Sequence, residues 1–537
     1  MADKQSGDSG FERFVFGGLG LLFLYKFCEK CVMWLEVPKV RSTVIVLLSG
    51  GAFFLVLFLI ERTSKLLKKA KQERKILGKE DDSVFCGDTS DGEDTWIKPR
   101  QRAMHTQVIG TTNAGKTESV IIPWAVQDIF SGKGLLLIDG KADNSLLDKL
   151  WAYTVAAGRQ KDFKLFSLGR RENSHQFNPL KGGTAEEITE RVFNSFEFED
   201  PYYRSLQFEV MSQVMRIFEA SETEVTFPRL YQGISTPSVL VNMSKDIKDP
   251  ALQKWLEWYE ELPPKDRETR TSGLLSALGQ FALGSNAELF DAKKDAITLD
   301  GALKGNQIVY FQLPVLLSPF LGKATGKLVL QSLQAAVANR HRSSGDKKFF
   351  SVFLDDFSEY LYPGFVSILN KSRSANVGIV FAHQALGDIQ TMGDAVANSI
   401  LTNSNLKIFM RGNTPDSAEY FSKVIGTLSS TKFTERQKKG RFFTAKSGDV
   451  SAREVEEFVI HPNTFKRELG VGEAVMMVPH EKGAKVVRIK FNKIDDLSKV
   501  ELPRIRKKRL GLIIESPKKS SEQQDQKTAN PLDQRAA

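Results

Sequence analysis

The stretch Gly110-Thr111-Thr112-Asn113-Ala114-Gly115-Lys116-Thr117 decides the fold, because it matches the phosphate-binding pattern G-x-x-x-x-G-K-[ST] at every fixed position. Residues 104–109 before it predict a strand, and residues 118–122 after it are apolar enough to open a packed helix. In this strand–loop–helix setting the glycines let backbone N–H groups approach phosphate oxygens, and the helix N-terminus adds a favourable dipole. The pattern therefore predicts a nucleoside triphosphate site.

The residues of this phosphate-binding loop have separate predicted roles. Lys116 is expected to reach the β- and γ-phosphates, and the Thr117 hydroxyl is expected to bind Mg²⁺. All eight residues of the loop, together with Glu118 directly after it, are predicted to line the nucleotide. The alternative is a glycine-rich turn that binds nothing, and the complete motif with its flanking segments disfavours it.

Short apolar strands alternate with helical stretches downstream of the loop. Candidate strands are residues 104–109, 134–139, 163–167, 307–312, 349–355, 377–382 and 405–410. Uniformly apolar strands flanked by helices indicate a parallel sheet that is covered on both faces.

Residues 184–290 interrupt this pattern with amphipathic helices. Because strands resume at 307, an inserted helical domain fits better than a separate one. Residues 473–478 and 485–491 predict a final strand pair.

The N-terminal end carries a membrane signal. Residues 14–34 are largely apolar, and residues 43–60 form a run of eighteen without a charge, which matches the hydrocarbon thickness of a bilayer. A cluster of Lys and Arg follows at 62–75, and by the positive-inside rule it places the rest of the chain in the cytoplasm. We therefore predict a transmembrane hairpin. A buried hairpin of a soluble domain is the alternative.

Composition sets broad limits on partners and compartment. The 537 residues suffice for two or three folding units, and the net charge of +10 favours polyanionic partners such as nucleic acid. A surplus of surface lysine explains that charge equally well. Three cysteines, Cys28, Cys31 and Cys86, argue against a disulfide framework. The pair Cys28-x-x-Cys31 has no second pair or nearby histidine to complete a metal site, so we interpret it as incidental.

Hydrolysis of a nucleotide also needs an acid at the end of a neighbouring strand. The strand 349–355 ends in Asp355-Asp356, and we assign Asp355 to the metal and Asp356 to the attacking water. Asp139 ends the strand 134–139 and is interpreted as a second-strand residue near the nucleotide. The alternative for either strand end is a solvated carboxylate without a function.

Two further residues are candidates for catalysis. Gln384 lies just past the strand 377–382, where an amide can sense the γ-phosphate or orient water. Arg373 precedes that strand and is placed to reach the nucleotide of a neighbouring subunit. Taken alone, each residue is more often structural.

These motifs together resemble the coupling proteins of type IV secretion and conjugation, the TraD/TraG-like family of membrane-anchored hexameric ATPases related to FtsK. The resemblance covers roughly residues 10–490. Its elements, in chain order, are residues 119–123, 137–143, Phe177-Asn178-Pro179-Leu180, 354–357, the Arg373…Gln384 spacing, 407–411 and 417–421. Asp356 departs from the family, where many relatives carry Glu. The basic segment 428–450 matches no family motif, and the chain lacks the long acidic C-terminal extension of some relatives.

The resemblance implies an α/β fold, with a RecA/FtsK-like P-loop ATPase domain, an inserted all-α domain and an N-terminal transmembrane helical hairpin. The predicted boundaries are a disordered N-terminus at 1–13, the hairpin at 14–61, a basic and acidic linker at 62–98, the nucleotide-binding domain at 99–183 and 291–495, the all-α domain at 184–290, and a disordered tail at 496–537.

The function that the resemblance implies is an ATPase of the bacterial inner membrane with a cytoplasmic bulk. It would use ATP and Mg²⁺ to recruit relaxase-bound single-stranded DNA and transfer it through a type IV secretion channel. Expected partners are DNA bound without sequence specificity, the relaxase and relaxosome, channel subunits, the membrane and other copies in a homo-hexamer. Lys116, Thr117, Asp355 and Asp356 would act from one subunit and Arg373 from the next.

Three other functions stay open at this point. The same ATPase can carry protein effectors in place of DNA. The chain can also be a non-hydrolytic, nucleotide-gated membrane receptor. A chromosome-segregation translocase fits less well, because such proteins usually carry a larger membrane region and a DNA-reading winged-helix end.

Overall fold

The computed structural model of the chain describes residues 26, 51–64, 81–291, 296–345, 347–439 and 444–505. Residues 51–64 are helical. None of the helices in the described part of the chain combines the length and the apolar character that crossing a membrane requires. The predicted inner-membrane localisation is therefore wrong on this finding. Cys28, Cys31 and nearly all of the predicted first span lie outside the described residues.

Strands and helices alternate from residue 84 to residue 167. In order they are β1 (Val84–Thr89), β2 (Asp94–Ile97), α1 (Pro99–Arg102), β3 (Thr106–Ile109), a wide helical turn (Thr117–Ile121) that continues into α2 (Ile122–Phe130), β4 (Gly134–Asp139), α3 (Asn144–Ala156) and β5 (Phe163–Ser167). The first two strands occupy a region that we predicted to be a linker. Its buried residues Val84, Phe85 and Cys86 belong to β1, which pairs with β2. Some of its acidic residues lie in the turn between these two strands.

Helices fill the next hundred residues. They are α4 (Ala185–Phe193), α5 (Pro201–Ala220), α6 (Phe227–Ser235), α7 (Pro237–Met243), α8 (Pro250–Glu261), α9 (Pro264–Ala282) and α10 (Ala287–Phe290). Local sequence fixes several starts: Asp200 and Asp249 cap α5 and α8 by accepting backbone N–H bonds, and a proline follows each cap. Stacked rings of Phe227 and Phe281, with centroids 4.5 Å apart, lie in the helical core.

The remaining elements return to the alternating pattern and end in two hairpins. They are α11 (Leu299–Gly305), β6 (Ile308–Gln312), α12 (Pro319–Arg342), β7 (Phe350–Asp355), α13 (Phe365–Ser372), β8 (Val377–His383), α14 (Leu386–Gln390), α15 (Asp394–Asn403), β9 (Leu406–Phe409), α16 (Pro415–Ile425), β10 (Thr427–Lys439), β11 (Thr444–Phe458), β12 (Glu473–His480) and β13 (Gly483–Phe491). The predicted strands in this region agree with the observed ones to within two residues at either end. Residues 428–439 and 444–450 of the basic segment lie in the antiparallel pair β10–β11.

The chain divides into two compact units. The first comprises the described residues within 1–133, 378–380 and 404–495. Its strands are ordered β2-β1-β13-β12-β9-β3, and this sheet is mixed, since β3 and β9 are parallel while the other neighbours are antiparallel.

The second unit comprises the described residues within 134–377 and 381–403, together with residues 496–505. Its strands β7-β4-β6-β5 are all parallel, as the apolar strands predicted. The register aligns Asp139 with Asp355 on one side and with Gln312 on the other, so the carboxyl ends of the strands meet at one edge. Residues 496–505, which we predicted as the start of a disordered tail, contact this unit: the indole N–H of Trp151 donates to the carbonyl of Glu501.

Candidate functional site

The phosphate-binding loop joins β3 to the helical turn at Thr117–Ile121, in the first unit, as the sequence predicted. Asn113 and Gly115 adopt left-handed backbone angles, with φ of 63° and 98°. A Cβ atom on Gly115 would lie 2.9 Å from the hydroxyl of Ser119, so the position has no room for a side chain. The glycine therefore serves the close turn that a phosphate cradle needs.

Lys116 already points into this loop. Its side chain is buried, and its ammonium donates hydrogen bonds of 2.6 Å to the carbonyl of Gly110 and 3.2 Å to the carbonyl of Thr111. Both acceptors are neutral carbonyls, and an anionic phosphate oxygen is a stronger partner for an ammonium. The lysine thus has the position and charge to exchange loop carbonyls for phosphate.

Two distant segments of the first unit hold the loop in shape. The backbone N–H of Thr111 donates to the carbonyl of Arg411, just after β9, at 2.9 Å. The backbone N–H of Gly472, just before β12, donates to the carbonyl of Ala114 at 2.9 Å. Sequence reasoning missed these supports, because backbone hydrogen bonds between distant segments leave no motif.

An acidic centre lies at the carboxyl edge of β4 and β7, in the second unit. Asp139, Asp355 and Asp356 are all buried. Burial, and then the nearby charge of Asp355, raise the pKa of Asp139 to about 7, against opposing hydrogen bonds from Tyr310 and the backbone. The sequence predicted both strand ends, and the parallel register brings them together.

The Asp139 carboxylate accepts four hydrogen bonds from neighbouring groups. Its Oδ1 accepts the backbone N–H groups of Lys141 and Ala142 at 2.9 and 3.1 Å. Its Oδ2 accepts the N–H of Asp143 at 2.7 Å and the hydroxyl of Tyr310 at 2.9 Å. Three of these hydrogen bonds come from the loop 140–143, so the carboxylate fixes the conformation of that loop. Tyr310, on β6, was missed by sequence reasoning, since its role depends on which strand lies beside β4.

Asp356 sits in an unusual backbone conformation beside a lysine. Its φ of 48° and ψ of 46° are left-handed, which Asp tolerates better than most residues. Its Oδ2 lies 2.8 Å from the ammonium of Lys141. Burial lowers the pKa of Lys141, but the contact with Asp356 and the charges of Asp355 and Asp139 outweigh it and raise that pKa. Lys141 lies within the motif 137–143, and no sequence pattern marks it as a site residue.

Arg373 and Gln384 occupy exposed positions of the second unit. Arg373 follows the end of α13, and Gln384 follows β8. The backbone N–H of Gln384 donates to Oδ2 of Asp388 at 2.8 Å. Their catalytic roles, and those of the loop residues, stay predictions.

The two predicted metal ligands carry oxygen donors. Thr117, in the first unit, has a hydroxyl and Asp355, in the second unit, has a carboxylate, and both are ligand types that Mg²⁺ prefers. Within the described ranges, no group of three or more His, Cys, Asp or Glu side chains is placed to hold a metal ion by itself. Mg²⁺ would therefore take its other ligands from phosphate oxygens and water, which is its usual behaviour with nucleotides.

Three comparisons with known proteins agree on the relatives of this chain. Residues 350–467 match a family described as the TraM recognition site of TraD and TraG. The type 4 coupling protein DotL of Legionella pneumophila is 22% identical over 423 residues, which are 66% of this chain and 53% of DotL. The chain thus spans about half the length of this curated relative.

Solved structures of a coupling protein share the fold. The bacterial conjugative coupling protein TrwBdeltaN70 superposes with a TM-score of 0.56 at 12% identity, over 77% of this chain and 92% of that one. The plasmid coupling protein TrwB in complex with ADP and Mg²⁺ gives a TM-score of 0.54 at 12% identity, over 75% and 89% of the two chains. The predicted α/β P-loop fold is confirmed, whereas the predicted N-terminal transmembrane hairpin is not. The chain is a relative of the type IV coupling proteins, as the sequence resemblance indicated.

Proposed function

We propose that the protein is an ATPase that couples ATP hydrolysis to the recruitment and transfer of relaxase-bound single-stranded DNA through a type IV secretion channel. The observation that carries this proposal is the complete phosphate-binding loop, with the buried Lys116 ammonium turned onto the carbonyls of Gly110 and Thr111. A loop built in this way is ready to receive a triphosphate without a rearrangement of its backbone supports.

In this proposal Lys116 moves from the loop carbonyls to the β- and γ-phosphates of ATP. Thr117 and Asp355 would hold Mg²⁺, which would supply positive charge against the phosphates. Asp356 accepts a proton from the attacking water. The complex of TrwB with ADP and Mg²⁺ supports a nucleotide and Mg²⁺ as the bound groups.

The oligomer in this proposal is a homo-hexameric ring with ATP between subunits. Arg373 is exposed, which suits a side chain that is offered to the nucleotide of the next subunit. Gln384 would sense the γ-phosphate. Hydrolysis in such a ring drives movement of the cargo, and Arg373→Ala would then abolish hydrolysis while each subunit still binds nucleotide.

Single-stranded DNA is the proposed cargo. The net charge of +10 supports a polyanion that is held through its phosphates without reading of sequence. The match of residues 350–467 to a TraM recognition site supports a relaxosome component as the partner that delivers this cargo. Protein effectors in place of DNA are the second candidate cargo.

Steady-state hydrolysis of ATP by the purified full-length protein tests the proposal. Activity should rise with single-stranded DNA, and Lys116→Ala should remove both basal and stimulated activity. Heparin, a polyanion without bases, is the control for charge alone. Activity that single- and double-stranded DNA leave unchanged favours protein cargo. Cargo transfer that survives Lys116→Ala in cells rules out the motor.

A further inference from the structure

The loop 140–143 is fixed from several sides at the edge of the acidic centre. The carboxylate of Asp139 accepts three of its backbone N–H groups, and Ala142 adopts a left-handed φ of 57° to make this possible. From the side of β6, the N–H groups of Leu313 and Val315 donate to the carbonyls of Asp139 and Gly140 at 2.9 and 3.3 Å. The loop therefore has one well-defined conformation.

The same loop packs closely on the end of β7. A Cβ atom on Gly140 would lie 3.5 Å from the Cβ of Asp356 and 3.5 Å from the ring of Tyr360. The next residue, Lys141, then extends across the centre to Asp356, with 2.8 Å between ammonium and carboxylate. The Asp356 side chain is 10% exposed and the Lys141 side chain 57% exposed, so the carboxylate is enclosed while the lysine stem lies at the surface.

Lys141 offsets a concentration of negative charge. Asp139 and Asp355 are register partners on adjacent strands, and Asp356 follows directly. Carboxylates on paired strand ends and on consecutive residues lie close together, and their negative charges repel strongly where water is largely excluded. The Lys141 ammonium interacts with all three carboxylates and makes its direct contact with Asp356.

We propose that Lys141 is a positioning residue for ATP hydrolysis, whose ammonium holds the Asp356 carboxylate in the orientation from which it accepts a proton from water. The inference rests on the proposed function, which gives Asp356 that role. The Asp side chain has a single methylene, so the orientation of its carboxylate depends closely on its immediate neighbours. Without the lysine, repulsion from Asp355 and Asp139 turns the Asp356 side chain away.

Full-length Lys141→Met, Lys141→Arg and a matched control test this role. Methionine keeps the apolar stem without the charge, and arginine keeps the charge. Lys304 makes a comparable surface ion pair with Asp300 in the same unit, at 2.6 Å, and Lys304→Met is the control. We expect Lys141→Met to lower kcat for ATP by about tenfold or more, with KM and nucleotide affinity within about twofold of wild type. Lys141→Arg should recover most of kcat, and Lys304→Met should change nothing.

A double-mutant cycle separates positioning from a general structural role. In single-turnover assays, which resolve slow residual hydrolysis, Lys141→Met should have no further effect once Asp356→Asn has removed the group that it positions. An equal loss in both backgrounds, or a Lys141→Met variant whose defect lies only in KM, overturns the inference. Wild-type kcat in Lys141→Met, with a wild-type enzyme that hydrolyses ATP, overturns this inference alone. A wild-type protein that hydrolyses no ATP overturns the proposed function and the inference with it.

Discussion

The backbone N–H of Gly472 donates a 2.9 Å hydrogen bond to the carbonyl oxygen of Ala114, in the middle of the phosphate-binding loop. Gly472 has a left-handed φ of 79°, and a Cβ atom there would lie 2.9 Å from the hydroxyl of Ser119. The carbonyl of Gly472 in turn accepts the N–H of Phe491, at the end of β13. The last strand pair of the first unit is thus part of the support of the loop.

Gly472→Ala should weaken nucleotide binding by roughly tenfold, because the new methyl group displaces Ser119 and with it the start of the helix after the loop. The left-handed angle adds a cost of about 1 kcal/mol for any residue with a side chain. Titration with a fluorescent ATP analogue measures the affinity, and thermal unfolding measures the stability.

Gly483→Ala is the matched control for that substitution. Gly483 also has a positive φ, 124°, but a Cβ atom there would have no neighbouring atom within 4 Å, so its substitution reports backbone strain alone. Equal losses of nucleotide affinity in the two variants would show that the contact with Ser119 has no part in the effect.

Local patterns made the phosphate-binding loop and most strands predictable. Lys116 and its glycines form a contiguous motif, and apolar runs such as 134–139 mark buried parallel strands. Features that depend on neighbours in space were not predictable. The contact of Gly472 with Ala114 is one, and the contact of Tyr310 with Asp139 is another. β1 and β2 were missed because the acidic residues of 81–94 outweighed a short apolar run.

Tyr310→Phe should loosen the loop that follows β4. The Tyr310 hydroxyl donates to the buried carboxylate of Asp139, and a hydrogen bond to a charged group contributes about 1.5–3 kcal/mol. We expect the amides of residues 141–143, which bond to the same carboxylate, to exchange hydrogen about ten- to a hundredfold faster. Hydrogen-exchange mass spectrometry at pH 8 measures this.

Tyr259→Phe is the comparison for that measurement. Tyr259 is buried too, and its hydroxyl donates a bond of the same 2.9 Å length, but to the neutral carbonyl of Ile234. Its loss should cost about 1 kcal/mol and leave residues 141–143 unchanged. Equal local effects of the two substitutions would argue against a charged acceptor in the Tyr310 bond.

Asp139 should make the stability of the second unit depend on pH. Burial and the charge of Asp355 raise its pKa from 3.8 to about 7, so between these values the folded state binds more protons than the unfolded one. This contribution to stability is fully present below pH 3.8 and is lost as pH rises through about 7. Asp139→Asn removes the titrating group. The unfolding free energy of this variant, relative to that of the wild type, should therefore rise between pH 5 and pH 8, by up to about 1.4 kcal/mol per pH unit. Urea unfolding without Mg²⁺ measures this free energy. Asp246→Asn, at an exposed position, is the control. A difference between Asp139→Asn and wild type that does not change with pH contradicts the raised pKa of Asp139.

The helix after the phosphate-binding loop is anchored by a buried ion pair, and its removal gives a last prediction. The guanidinium of Arg102, on α1, donates two parallel 2.7 Å bonds to the carboxylate of Asp128, on α2, and both side chains are almost fully buried. Lys133 lies 3.9 Å from the same carboxylate and keeps Asp82 as a second partner. Arg102→Met leaves Asp128 buried without its main partner and should cost about 3–5 kcal/mol. Adding Asp128→Leu removes the unpaired buried charge and should recover much of that loss. If the double variant instead loses as much unfolding free energy as the two single variants together, the two residues contribute to stability independently. Thermal unfolding of the four proteins, with and without nucleotide, decides between these outcomes and shows whether the anchor of α2 affects the loop that precedes it.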